Sequence, residues 1–512
     1  MLKLYNSLGR ELQEFTPLHE GFVGVYVCGP TVYGHSHIGH AKSYVSFDAI
    51  VRYLRYLGYR VRYVQNITDV GHLTDNADEG EDKVAAEARR TGVEPMEVAE
   101  MYTRSYFEDM DALKVERPDV SPRASGHVIE QIELVKRLLE KGHAYEVEGN
   151  VYFDVGSFPD YGKLSGRSLD EMLDGARVEA RSDKRSPADF ALWKVAEPGH
   201  IMRWPSPWGV GFPGWHLECS VMAMRYLGET VDIHGGGIEN IFPHHEDEIA
   251  QAEAATGQPF VRYWLHNNMV TVNGQKMGKS LGNFITLKDA FAGNPPLQRP
   301  VRPLVLRYFV LTSQYRSPLD FSVEALDAAQ KGLERIEGTV GRVRRMLPQA
   351  AEGEAPEAVV RLVEETVGQF LAEMDNDFNT AGALGVLSTF TRELNRYLDE
   401  EEAPTGGALA AIDGLYEELG GRILGIVTDK TGRVFEEHVG DTVRVTSGGT
   451  DRLVPARPQV ATREELIQKL VDERSAARKR GDYEHADSLR AWLEEHRVEV
   501  KDTPDGTTWR ER

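Results

Sequence analysis

The sequence predicts an α/β protein. A parallel sheet is split by an inserted α/β module and is followed by an α-helical bundle and a small C-terminal α+β domain. Three observations carry this. A strand, helix and strand pattern stands near the N-terminus, and the same order returns after position 204. Beyond about 300 the apolar residues keep a helical spacing. At 512 residues the chain has room for about three or four domains.

Taken in order, 22–27 (FVGVYV) is apolar and β-rich and is broken at once by Cys28-Gly29-Pro30. From about 40 to 57, Val45, Phe47, Ile50, Val51, Leu54 and Leu57 recur at helical spacing, and Gly58 ends the run. The stretch 60–66 (RVRYVQN) is a second strand, so the unit is a right-handed crossover. Residues 118–204 carry short alternating strands (AYEVEGNVYFDV) among turn residues and read as an insert. A helix at 218–227, a strand at 231–234 running into Gly235-Gly236-Gly237, a helix at 243–255 opening on Pro243 and a strand at 261–265 complete the second half. After 279 the segments 303–311, 323–346 and 354–401 are helical and form a bundle. Weak signals at 420–458 suggest a linker with a few strands, and 463–512 opens with a charged helix and ends in DTPDGTTW.

Hydrophobic residues make up 41% and charged residues 27%, enough for a sizeable core and inconsistent with wholesale disorder. Acidic side chains outnumber basic ones, 81 to 59, for a net charge of -22. That balance argues against indiscriminate binding of polyanions, although a local basic groove can still sit on an acidic body. Two cysteines in so long a chain argue against a disulfide framework and for a reducing, cytoplasmic setting. No apolar run reaches the roughly 18 residues of a membrane span, and the N-terminus has no signal-peptide core.

Three constellations carry chemistry. His37-Ile38-Gly39-His40 lies after the first strand at the start of a helix, where imidazoles, helix N-terminus and a small glycine suit phosphate. Lys276-Met277-Gly278-Lys279-Ser280, flanked by Gly274 and Gly282, puts two lysines on a glycine-rich loop fit for a growing pyrophosphate charge. Cys28, Cys219, His244 and Glu248 form a candidate tetrahedral zinc shell. His244 and Glu248 are four apart on one helical face, and His245, a quarter-turn round, is the poorer ligand. Two further strand ends face a nucleotide: Asp232–Glu239, with Gly236 for close backbone approach and Glu239 for a ribose hydroxyl, and Asn66-Ile67-Thr68-Asp69.

Together these residues resemble the cysteinyl-tRNA synthetases of class I along nearly the whole chain. The phrases are YVCGPTVY (26–33), HIGH (37–40), NITDVGHLTD (66–75), DFALWK (189–194), PGWHLECS (213–220), DIHGGGIENIFPHHEDEIAQAE (232–253), KMGKSLGN (276–283), YRSPLDFS (315–322) and DNDFNT (375–380), with DYEHADSLR and DTPDGTTWR in the tail. The resemblance implies a Rossmann-type catalytic domain in two halves (1–117 and 205–275) around a connective insert (118–204). A signature-loop region (276–325), a tRNA-binding helical bundle (326–430) and an anticodon-binding region (431–512) follow.

The resemblance also implies roles. Cys28, Cys219, His244 and Glu248 would bind one Zn2+, which takes the substrate sulfur as a further ligand. His37, Gly39, His40, Gly236, Glu239 and Lys279 would bind ATP, with Mg2+. His37, His40, Lys276 and Lys279 would be catalytic, the lysines on the pyrophosphate side. Cys28, Thr68 and Trp215 would meet L-cysteine, with Thr68 near its amino group. The expected activity joins L-cysteine to tRNA(Cys) through an adenylate, in a cytoplasmic monomer. Zinc supplies the selectivity: a pocket that measures shape separates serine from cysteine poorly, whereas a soft metal prefers a thiolate. One departure stands out, Gly278 where the family usually has serine, which removes a hydroxyl and loosens the loop. Arg335, Arg342, Arg344, Arg345 and Arg478-Lys479-Arg480 are candidate phosphate contacts. Two other readings compete: a cysteine ligase acting on an amino-sugar, which lacks the C-terminal region, and a non-catalytic tRNA-binding paralogue.

Overall fold

A run of six residues with five buried, Phe22–Val27, forms strand β1 at the heart of a four-stranded parallel sheet. In this computed structural model the described residues are 1–73, 81–168, 183–196, 202–278, 281–295 and most of 297–428. Beyond them they are chiefly the strands at 438–439, 442–447, 450–455, 498–503 and 506–511. Helix α1 (Ile38–Tyr56) connects β1 to β2 (Arg60–Gln65). After the insert come α2 (Trp215–Leu227), β3 (Val231–Gly237), α3 (Glu246–Thr256) and β4 (Val261–Asn267). The sheet order is β4-β3-β1-β2, with Val25 opposite Tyr63 on one side and Ile233 on the other. Both faces are covered by helices, which is why the strands are apolar throughout and do not alternate.

Two expectations need correction. The three glycines at 235–237 do not form a turn after the strand but are its last residues, paired with Leu265, His266 and Asn267 of β4. Packing explains it: a Cβ on Gly235 would stand 2.2 Å from the Phe47 ring of α1, so the close helix–sheet approach itself requires glycine. The second helix of this half is regular only from Glu246. Residues 241–245 form a distorted wide turn with Phe242 extended, so His244 sits on a kink and not on a regular helical face.

The insert has its own antiparallel sheet, ordered Ala144–Val147, Asn150–Phe153, Phe190–Val195, Gly209–Pro213, Trp204–Ser206. Its core is built from Val135, Leu138, Phe153, Leu192 and Trp193. Past β4, Val270–Val272 pairs with Gln275–Lys276 in a tight hairpin and with Leu319–Phe321 in parallel. Helices Pro303–Leu311, Val323–Met346, Glu357–Asp375, Thr380–Glu400 and Gly406–Leu415 follow, around Leu333, Phe370, Leu387 and Ile412. The fully buried Arg307 ties this bundle to the sheet domain. Its guanidinium reaches the Asp48 carboxylate of α1 and the carbonyls of Leu113, Lys114 and Leu424, so four of its five N–H donors are paired, as a buried charge needs.

The chain divides into two compact units, 1–435 with 446–449, and 436–445 with 450–512. The described part of the second contains an antiparallel pair, Val498–Thr503 with Gly506–Glu511, and most of a small sheet made of His438–Val439, Thr442–Ser447 and Thr450–Pro455. The charged helix expected from 463, including Arg478-Lys479-Arg480, falls largely outside the described residues. Among the described residues no helix is long and apolar enough to cross a membrane.

Candidate active site and metal centre

The carboxyl ends of β1, β2 and β3 open into one cavity of about 1140 Å³, the position at which open parallel sheets bind ligands. At its floor, Cys28 from the end of β1 and Cys219 from α2 bring their sulfurs 3.9 Å apart across 191 residues of sequence. Glu248 Oε1 lies 3.8 Å from Cys28 Sγ and 3.2 Å from His244 Nε2. The four ligand atoms all lie within 4.8 Å of one another, and all four residues are buried. Ligands about 2.0–2.3 Å from one tetrahedral zinc stand about 3.3–3.8 Å apart, so this group fits the ion.

A second grouping, Cys28, His234, His245 and Glu248, shares two of these residues. Its contacts fit an outer layer better. His245 Nε2 is 3.2 Å from Cys28 Sγ and His234 Nε2 is 2.8 Å from Glu248 Oε2, both hydrogen-bond lengths, while His245 stands 3.9 Å from Glu248 Oε1. His245 Nδ1 meets His266 Nε2 at 2.7 Å, and His266 Nδ1 meets Ser7 Oγ at 2.7 Å. On the other side His244 Nδ1 lies 2.8 Å from His216 Nδ1, and His216 Nε2 lies 3.4 Å from Asp247, which also holds the Tyr161 hydroxyl. Such partners fix the tautomer and orientation of metal ligands.

The protonation states agree. Burial pushes the Cys28 thiol up to about 11 and the Cys219 thiol well above its usual value, and it holds His244 and His245 well below the ordinary imidazole range. Two thiols beside a buried carboxyl ionise together only where a cation compensates them, as a divalent metal does. The imidazoles are already in their neutral, ligating form.

The cavity wall above the cysteines combines Asn66, Thr68 and Trp215, which the sequence reading singled out, with Glu218 and His72, which it did not. Thr68, at the exit of β2, donates its hydroxyl to the buried Glu218 carboxylate, and Asn66 Nδ2 reaches Thr68 Oγ1 at 3.0 Å. The Trp215 indole lies flat against the His72 imidazole, with centroids 3.8 Å apart and planes 7° apart, and 4.3 Å from the His244 ring. Gly71 makes this contact fit: it has φ +85°, and a Cβ there would stand 2.8 Å from the Pro213 carbonyl.

At the mouth, His37 caps α1 by accepting from Gly39 N at 3.1 Å, while His40 Nδ1 accepts from His37 N at 3.1 Å. Both imidazoles therefore keep their hydrogen on Nε2. Gly39 is required because a Cβ would meet the His37 ring at 2.8 Å. Glu239 and Lys276 line the same cavity as these histidines, whereas Gly236 packs against His245 and Asn240, and it is Gly237 that faces the opening. Asn283 ties the signature loop together, accepting from Gly278 N at 2.8 Å and donating to Lys276 O at 3.1 Å. That tie offsets the freedom expected of Gly278. Lys279 lies outside the described residues. Of the arginines singled out, Arg342 pairs with Asp399 at 2.6 Å and Arg344 with Asp413 at 2.6 Å, so both are engaged within the bundle.

This arrangement of sheet, histidine cap and lysine hairpin belongs to a known class. The family described as "tRNA synthetases class I (C) catalytic domain" matches residues 14–331, the DALR domain matches 369–428, and the "Cysteinyl-tRNA ligase anticodon binding domain" matches 464–510. Among solved structures, a Mycobacterium tuberculosis methionyl-tRNA synthetase in complex with methionyl-adenylate superposes with TM-score 0.54 at 16% identity, over 79% of this chain and 90% of that one. A leucyl-tRNA synthetase in a ternary complex from Agrobacterium radiobacter gives TM-score 0.57 at 12% identity, over 95% of each chain. The fold is that of a class I aminoacyl-tRNA synthetase.

Similarity along the sequence narrows the class. The chain is 53% identical to the cysteine–tRNA ligase of Chlorobaculum tepidum, over 99% of this chain and 98% of that one. It is 47% identical to a cysteine–tRNA ligase of Thermus thermophilus, over 99% of each. The chain belongs to the cysteine–tRNA ligase family.

Proposed function

We propose that the cavity activates L-cysteine with ATP and Mg2+ and passes it to tRNA(Cys), and that a single zinc ion held by Cys28, Cys219, His244 and Glu248 selects the substrate. The observation that carries this is the quartet itself, four buried ligand atoms within 4.8 Å of one another, with the three closest contacts described at 3.2–3.9 Å. When bound, zinc supplies a soft Lewis acid that accepts a thiolate and discriminates against an alcohol. Trp215 walls the side chain and Thr68 faces the amino group. His37 and His40 present Nε2–H groups to the phosphates, Gly39 lets them approach, and Glu239 accepts from the ribose. Gly236 supports the nucleotide edge indirectly, by giving His245 room.

In the first step a carboxylate oxygen of cysteine attacks the α-phosphorus of ATP and pyrophosphate leaves. Lys276 and Lys279 neutralise the charge that develops on the departing group. In the second, a hydroxyl of the terminal adenosine of the tRNA attacks the activated carbonyl and AMP leaves. Positioning and charge stabilisation carry both steps. The bundle and the C-terminal domain hold the tRNA, a role that favours this acceptor over an amino-sugar. The two buried free thiols favour a reducing cytoplasm, and a monomer suffices because one chain supplies every group named.

Replacing a ligand tests the reading. Cys219→Ser is expected to lose bound zinc and with it cysteine activation, while the protein keeps its circular dichroism spectrum. A variant that stays active with no metal would contradict the assignment.

A further inference from the structure

Beside the quartet sits a carboxyl group that has no role in the steps above. Glu218 is 1% exposed, on the first turn of α2, yet it lines the cavity. Its two oxygens differ sharply. Oε1 accepts the Thr68 hydroxyl and lies 3.5 Å from Asn66 Nδ2, whereas Oε2 is buried with no hydrogen-bond partner among the described residues. A buried carboxylate with half its acceptors unmet is costly in isolation, a cost that a cation brought nearby would offset.

The hydrogen bonds on Thr68 say where. A hydroxyl has one hydrogen and two lone pairs. The hydrogen goes to Glu218, and Asn66 Nδ2 donates to the same oxygen at 3.0 Å. One lone pair remains, and Thr68 also lines the cavity. Asn66 is in turn fixed, because its Oδ1 accepts from Gly29 N at 2.8 Å. The network thus turns Thr68 into an acceptor with a negative charge behind it.

We infer that Glu218 is the buried counter-charge for the substrate's ammonium group, acting through the Thr68 hydroxyl that it orients. The inference rests on the reading that cysteine is held by its sulfur at the quartet. Cysteine is then gripped at two points, sulfur and ammonium, leaving its carboxylate to face the nucleotide. Glu218 is a positioning and specificity-determining residue, and the ligand class it selects is an α-amino thiol over a thiol acid.

The test compares two ligands that share a sulfur and a carboxylate: L-cysteine and mercaptopropionate, which is cysteine without its amino group. Each is titrated calorimetrically into the zinc-loaded full-length protein, with zinc content measured alongside. Glu218→Gln is expected to weaken cysteine by at least about tenfold, about 1.4 kcal/mol, to change mercaptopropionate by less than about twofold and to leave zinc content unaltered. Thr68→Val is expected to show the same pattern. Equal losses for both ligands, an unchanged cysteine affinity or loss of zinc from Glu218→Gln would each overturn the inference. Failure of the underlying reading looks different: the wild-type protein itself would then bind neither thiol in a zinc-dependent way.

Discussion

His72 and Trp215 stack face to face, 3.8 Å between ring centroids and 7° from parallel. Both nitrogens of His72 are engaged as well, Nδ1 with Thr31 Oγ1 at 2.6 Å and Nε2 with Lys83 Nζ at 2.7 Å. An ammonium only donates, so Nε2 accepts and Nδ1–H donates to Thr31. The imidazole is thereby held from two sides against the indole proposed to wall the cysteine pocket.

His72→Ala should therefore loosen Trp215 without touching a metal ligand. Stacked pairs contribute about 0.5–1.5 kcal/mol beyond the area that they bury. The expected outcome is a rise of about threefold to tenfold in KM for cysteine, with KM for ATP unchanged. Steady-state exchange kinetics check it. An unchanged KM for cysteine would mean that Trp215 keeps its place unaided.

Lys42 follows the histidine motif on α1 and is buried, with long contacts at 3.3 Å to Gln314 O and 3.4 Å to Ser313 Oγ. Burial lowers its ammonium from 10.5 to about 8. Between those values the unfolded chain binds more protons than the folded one, so stability rises with pH through that window. Below about pH 8 the buried charge costs about 3 kcal/mol. Lys42→Met should raise the unfolding free energy by about that much at pH 7 and by only about 1 kcal/mol at pH 10. Denaturant titrations at the two pH values measure the difference.

Removal of residues 436–512 separates the two reactions. The sheet, the cavity and the helical bundle lie in the unit that spans 1–435. The shortened chain should keep cysteine-dependent ATP–pyrophosphate exchange within about twofold and lose most tRNA charging, because anchoring contacts raise the effective concentration of the acceptor end. Intact charging by the truncated chain would remove the C-terminal region from tRNA recognition.

The parts legible in the sequence were those with a spacing or composition signal. Cys28 and Cys219 stood out because the chain has only two cysteines, and His37 to His40 because a glycine separates two imidazoles at a helix start. The alternation of strand and helix patterns gave the succession of elements and the parallel character of the central sheet, and the structure supplied the strand order. Glu218, His72 and His216 carried no such signal. One glutamate on a helix and one histidine in a loop look the same whether they face solvent or a cavity, and only long-range pairing brings Glu218 to Thr68 and His72 to Trp215. The glycines at 235–237 misled for a related reason. Three in a row read as a turn, whereas the approach of Phe47, far off in the sequence, makes them strand.

Whether zinc on this quartet chooses cysteine is decided by cysteine-dependent ATP–pyrophosphate exchange. The assay compares cysteine, serine and methionine before zinc removal, after chelation and after zinc is restored. Exchange is expected with cysteine alone, lost on chelation and recovered with zinc. Exchange with cysteine that persists in metal-free protein, or comparable exchange with serine in the zinc-loaded enzyme, would contradict it.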